Sequence, residues 1–139
     1  MPMIDVYAPT GIFPESVKRD LAKDLTLTLL RAEGVDEPSE THLNNTAAYL
    51  HFMDPEDVHT AKEESAKVVR IQVLTPPHVL TRDGQKFLVK EATQLVNKYS
   101  GDDTQGERTW VLLTEAVDGG WGINGEAYDL KGFVELLSK

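Results

Sequence analysis

The feature that most constrains this chain is a strand–helix–strand order that occurs twice. Residues Pro2 to Ala8 read as a strand, ended by Pro9-Thr10-Gly11. Pro14 stands where a helix can begin, since proline is tolerated in a first turn. Val17, Leu21, Leu25 and Leu29 follow at a spacing of four, with Ala22 and Leu30 beside them. That spacing predicts one apolar stripe of an amphipathic helix, stopped near Gly34. Val35 to Asn44 is polar and reads as a loop. Thr46 to Met53 reads as a second strand, with Ala48, Leu50 and Phe52 alternating against Ala47, Tyr49, His51 and Met53. Glu56 to Lys67 is a polar connection, and then the order repeats. Val68 to Leu74 is rich in β-branched residues and is broken by Thr75-Pro76-Pro77. Thr81 is a candidate N-cap for a helix carrying Phe87, Leu88, Glu91, Leu95 and Tyr99 along one side. Thr109 to Thr114 closes the second unit. Gly119 to Gly125 holds four glycines in seven residues and is too costly for a helix. Asp129 to Leu137 reads as a short terminal helix.

Two β-α-β units offset by about 65 residues predict an α+β fold. Each unit joins a parallel strand pair through its helix. The expected product is a four-stranded sheet with the helices on one face. A sheet this rich in Val, Ile and Leu buries both faces, so the bare face predicts a closed oligomer. The 139 residues suit a single domain over 1–139, with a first unit over about 1–55 and a second over about 67–139.

The formal net charge is −9, from 14 Lys+Arg against 23 Asp+Glu. With no basic cluster, the chain is expected to repel a phosphate backbone, which argues against a nucleic-acid partner. A small anionic substrate stays compatible, because a pocket can be locally cationic. There is no cysteine, hence no thiolate metal site and no catalytic thiol. The four histidines show no metal-ligand spacing. His42 and His59 fall in polar segments, and His51 shares a strand face with Tyr49. Gly120-x-Gly122-x-x-Gly125 matches a dinucleotide-binding string only formally, because no β-α-β unit has room to follow it. No stretch reaches 18 apolar residues and no signal pattern opens the chain, so the expectation is a cytoplasmic protein without a membrane partner.

Pro2 is the candidate for chemistry. Methionine aminopeptidase accepts a small second residue, so removal of Met1 is expected and leaves a secondary amine at a strand head. Such an amine can be a general base, a general acid or a nucleophile.

At this point the chain resembles the tautomerase superfamily, which includes 4-oxalocrotonate tautomerase and macrophage migration inhibitory factor. The resemblance rests on Pro2 opening a strand that ends in Thr10-Gly11, on Val111-Leu112-Leu113-Thr114-Glu115, and on Trp121-Gly122-Ile123-Asn124-Gly125-Glu126. The last is similar to a Phe-Gly-Ile-Gly-Gly-Glu type of segment. The resemblance implies two fused units, a homotrimer, no cofactor, and Pro2 as the catalytic group in proton transfer on small oxo-acids. A free α-amino group titrates near ~7.7–8.0. Burial and nearby cations lower that value and make the amine a base.

The chain departs from the family in its cations. Ile12 occupies the place of one arginine, and Trp110 that of another in the second unit. The paired arginines after the third strand in the dehalogenases and the decarboxylase are replaced by Thr75 to Arg82, with only His78 and Arg82. Arg82 is the first candidate to grip a substrate carboxylate, as a planar fork, or else it is an exposed first-turn residue. Arg70, inside an apolar strand, lines a pocket or forms a structural ion pair. His78 is a loop cation or an exposed histidine. Trp121 is an apolar pocket wall or an interface residue. Asn124 contacts substrate or supplies glycine-like backbone geometry.

The reading is therefore a cofactor-independent tautomerase that interconverts keto and enol forms of a small 2-oxo acid. The alternatives are a dehalogenase, hydratase or decarboxylase on a three-carbon acid, and a non-catalytic trimeric binding protein. An unrelated ferredoxin-like domain shares the element order and would be betrayed by antiparallel pairing.

Overall fold

A computed structural model of the chain describes residues 1–138. Two β-α-β units build one four-stranded sheet. The first contains β1 (Met3–Pro9), α1 (Lys18–Ala32) and β2 (Ala47–Met53), with a short helix α2 (Glu40–Asn44) before β2. The second contains β3 (Val69–Thr75), α3 (Arg82–Ser100) and β4 (Thr109–Glu115). The strand order is β2-β1-β3-β4. β1 runs parallel to β2, β3 runs parallel to β4, and the two units meet antiparallel between β1 and β3. Parallel pairing within each unit sets the fold apart from a ferredoxin-like sheet. A hairpin, β5 (Trp121–Ile123) and β6 (Glu126–Tyr128), and helix α4 (Leu130–Leu137) finish the chain.

Alternation divides the sheet into two faces. Ile4, Val6 and Ala8 of β1 and Val69, Ile71 and Val73 of β3 are buried against the helices. Leu21, Leu25 and Leu29 of α1 lie over them, as their spacing predicts. Each such side chain contributes about 1.5–3 kcal/mol of apolar burial. On α3 the buried stripe is Gly84, Leu88, Ala92 and Val96. The expected stripe through Phe87 and Glu91 is corrected by one position. Leu88 is common to both, Leu95 and Tyr99 flank the core, and Phe87 is exposed. The small residues Gly84 and Ala92 carry no strong apolar signal, yet they let α3 approach the neighbouring layer.

The other face is open. Three rows cross it: His51–Tyr7–Arg70–Trp110, then Tyr49–Asp5–Gln72–Leu112, then Ala47–Met3–Leu74–Thr114. Tyr49, Leu74, Trp110 and Leu112 are all more than two-fifths exposed there.

One connection differs from expectation and one takes a form the sequence left open. The segment read as loop contains α2, which begins with a capping box: the Ser39 hydroxyl accepts from the His42 amide, and His42 Nδ1 accepts from the Ser39 amide. Histidine stands in for the usual Glu or Gln, so the signal is hidden in the sequence. The glycine-rich run is a tight hairpin, in which Asn124 (φ 52°) and Gly125 (φ 81°) form the two-residue turn. No helix among the described residues is long and apolar enough to cross a membrane.

Candidate active site

The head of β1 is a buried point where four parts of the chain converge. Pro2 is buried, and its carbonyl accepts a hydrogen bond from the Ala47 amide at 3.3 Å. Strand alternation puts Pro2 on the helix face with Ile4 and Val6. The Met3–Leu74 pair sets Pro2 beside Thr75, which points the same way as Val73. Thr75 is 1% exposed, and its Oγ1 has no hydrogen-bond partner among the described residues.

Met1 seats in an apolar slot at the chain terminus. The residue is 2% exposed and packs with Trp121 of β5 and Phe133 of α4, with Met3, Ala116 and Tyr128 around them. Trp121 and Phe133 meet edge to face, 6.3 Å between centroids at 77°. On its other side Trp121 borders a cleft of about 380 Å³ shared with Met3, Asn45, Leu74 and Ile123. The glycines of the segment after β4 thus shape a hairpin that brings one large aromatic wall to the chain terminus.

The residue that sequence reasoning missed is Glu33. It follows α1, and its Oε1 lies 3.5 Å from the Met1 amine, with the side chains 5% and 0% exposed. This is an ion-pair contact rather than a well-made hydrogen bond, and the Glu33 Oε1 is otherwise unpartnered. Burial lowers the pKa of the Met1 amine, and the Glu33 charge offsets part of that effect. Burial likewise raises the pKa of Glu33, against the pull of the amine. His42 of α2 is lowered by burial and by the charge of the same amine. In the sequence, Glu33 is one acid among 23 Asp+Glu at a helix end, with no motif around it.

The six expected site residues do not all gather here. Pro2 and Trp121 flank Met1. Asn124 is exposed at the hairpin tip, where its left-handed backbone is what the turn requires. His78 is exposed in the β3–α3 loop with φ 62°. Arg82 opens α3, exposed, and donates to Gln85 Oε1 at 3.3 Å. Arg70 lies toward the opposite end of β3, on the open face, with its guanidinium 4.4 Å from the centre of the Tyr7 ring. Tyr7 in turn stacks on His51 at 4.4 Å, and His51 Nε2 contacts Asp5 Oδ1 at 2.7 Å. Within the chain Arg70 makes this cation–π stack because its strand neighbour on that row is an aromatic ring. None of Arg70, Arg82 and His78 forms an ion pair or hydrogen bond with Met1, Pro2 or Glu33 among the described residues. No cluster of three or more metal-ligating His, Asp or Glu occurs among those residues.

This architecture is shared with solved structures described as fused 4-OT. The chain superimposes on a fused 4-OT symmetric trimer with a TM-score of 0.77 at 21% identity, covering 94% of this chain and 98% of that one. It matches N1, a member of the cis-3-chloroacrylic acid dehalogenase family, with a TM-score of 0.73 at 19% identity, over 96% of this chain and 88% of that one. It also matches a macrophage migration inhibitory factor-like protein from Entamoeba histolytica, with a TM-score of 0.70 at 15% identity, over 91% and 98% of the two chains. No protein-family model and no curated protein matches the sequence.

Proposed function

We propose that the protein is a cofactor-independent tautomerase in which Pro2, bared by loss of Met1, shuttles a proton between the oxygen and carbon of an enol. The observation that carries this reading is the seat of Met1. Its side chain occupies an apolar slot against Trp121 and Phe133, one peptide bond from the Pro2 nitrogen. Loss of Met1 would vacate that slot and free the Pro2 nitrogen in one step. Apolar walls disfavour an ammonium and keep part of the amine neutral near neutral pH. The neutral amine takes the enol proton, the enolate collapses toward the ketone, and the same proton returns to carbon. Nothing is gained or lost overall, so the reaction needs no cofactor.

The open face, with Tyr49, Leu74, Trp110 and Leu112 exposed on it, supports assembly as a homotrimer, as solved structures of this fold are described as trimers. Arg70 stands on that face, so of the three basic candidates it is the one that assembly would bring beside another subunit. An anionic 2-oxo acid could meet it there, while His78 and Arg82 follow the end of β3 that lies beside Pro2.

The test is ketonisation of phenylenolpyruvate by wild type and Pro2→Ala, both shown by intact mass to lack Met1. The expected result is turnover by wild type and a loss of about 10²-fold or more in the variant. Undiminished turnover would remove Pro2 from the mechanism.

One observation favours a second reading, a trimer that binds without catalysis. The groups at the chain terminus include a carboxylate and no paired side-chain cation among the described residues. Wild type without turnover on enols, 3-haloacrylates or malonate semialdehyde would favour it. Turnover of the last two would favour the hydratase, dehalogenase or decarboxylase chemistry instead.

A further inference from the structure

From the geometry around the chain terminus we infer that Glu33 is a positioning residue for the terminal amine, holding the protonated Pro2 nitrogen of the processed chain by its charge. The inference rests on the proline-based reading above but concerns a residue that reading does not use.

Three observations carry it. The Glu33 side chain is 5% exposed and lies 3.5 Å from the amine. A buried carboxylate is costly unless a cation or donors meet it. Its Oε1 accepts no hydrogen bond among the described residues, so the amine is its compensating partner. Thr75 Oγ1, also buried and unpartnered, belongs to the residue that register sets beside Pro2. A buried carboxylate met only by the amine, and a buried hydroxyl without a partner, point to a polar occupant at this end of the sheet. Loss of Met1 removes the amine that Glu33 now faces and leaves Pro2 nitrogen, one residue further in, as the new chain terminus.

The surroundings leave this role to Glu33. Arg31 of α1 and Asp83 of α3 share a cleft with it. The Arg31 guanidinium donates back to Thr28 Oγ1 at 3.1 Å. His42 of α2 is a second titratable group within reach of the amine's charge, and burial and that charge hold it toward its neutral form. Trp121, Phe133 and Tyr128 bring no charge at neutral pH. Glu33 is thus the anion that opposes the apolar walls. The walls push the amine toward neutrality, and Glu33 draws it back toward the cation. Its expected effect is to set the pH range in which Pro2 changes between acid and base.

The experiment is a titration of the Pro2 nitrogen by ¹⁵N NMR in proline-labelled protein shown by mass to lack Met1. It compares wild type, Glu33→Gln and Glu33→Asp. The expected result is a Pro2 transition moved down by about one pH unit or more in Glu33→Gln, because an opposite charge at this range acts on that scale. Glu33→Asp keeps the charge and is expected to stay near wild type. In active protein, the limb of the kcat/KM profile that reports the amine moves by the same amount. An identical Pro2 transition in wild type and Glu33→Gln would overturn the inference. If Glu33→Gln does not fold, drawing the charge back by shortening the side chain still reports: a Pro2 transition in Glu33→Asp higher than in wild type would overturn it. The titration needs no turnover, so an inactive wild type would sink the tautomerase reading and leave this measurement standing.

Discussion

Gly84 lies so close to Ala32 that a β-carbon on it would stand 2.6 Å from the Ala32 carbonyl oxygen. This is where α3 meets the end of α1, one residue before Glu33. Gly84→Ala therefore sets two effects against each other. Helix propensity favours alanine by about 1 kcal/mol, and forced repacking against backbone costs about 1–3 kcal/mol. The clash is with main chain, which cannot swing aside, so the expected outcome is a net loss in urea denaturation. The displaced helix end carries Glu33 with it, so activity should fall as well.

Trp121 and Trp110 report different surfaces, being 7% and 49% exposed. In a Trp110→Phe background, the remaining indole is expected to resist acrylamide while Met1 is present. Loss of Met1 uncovers it, and quenching should then rise. Equal quenching of the two forms would show that Met1 does not cover Trp121 in solution.

Leu112 sits in the middle row of the open face and is 44% exposed in the single chain. Leu112→Asp puts a charge on a face that assembly would desolvate. The expected result is a fall from about three chains to one by sedimentation, with the circular dichroism of the chain retained. A trimer that survives the charge would mean that another surface joins the subunits.

The Tyr99 hydroxyl donates to Asp24, tying α3 to α1. That bond, with burial and the charges of Asp24 and Asp20, pushes the phenol pKa up to about 12 from 10.0. The folded state thus favours the neutral phenol more than the unfolded chain does. The resulting stability is complete below about pH 10 and is lost as pH rises toward 12. An absorbance titration should show a tyrosine step near pH 12, and Tyr99→Phe should abolish that step and the matching alkaline loss of stability.

Much of the architecture was legible in the residues. The stripe Leu21-Leu25-Leu29, the alternation of β2 and the Thr81 cap are local signals, each repeated within a few positions. Local regularity is what periodicity detects. The Asn124-Gly125 turn was half legible: the glycines excluded a helix, but the hairpin needed both residues at positive φ. Helix α2 escaped because its capping partner is histidine. The α3 stripe was misjudged by one position because burial there depends on Gly84 and Ala92, whose small size matters only against the facing helix.

The candidate site divides along the same line. Sequence by itself determined the two units, the strand that Pro2 heads and the aromatic segment at Trp121, because each is written in neighbouring residues. Only the tertiary structure decided that Met1 seats against Trp121 and Phe133, that Arg70 stacks on Tyr7 away from Pro2, and that Glu33 is the charge at the terminus. Those pairings join residues tens of positions apart through sheet register and helix packing, and no pattern along the chain encodes a distance between them.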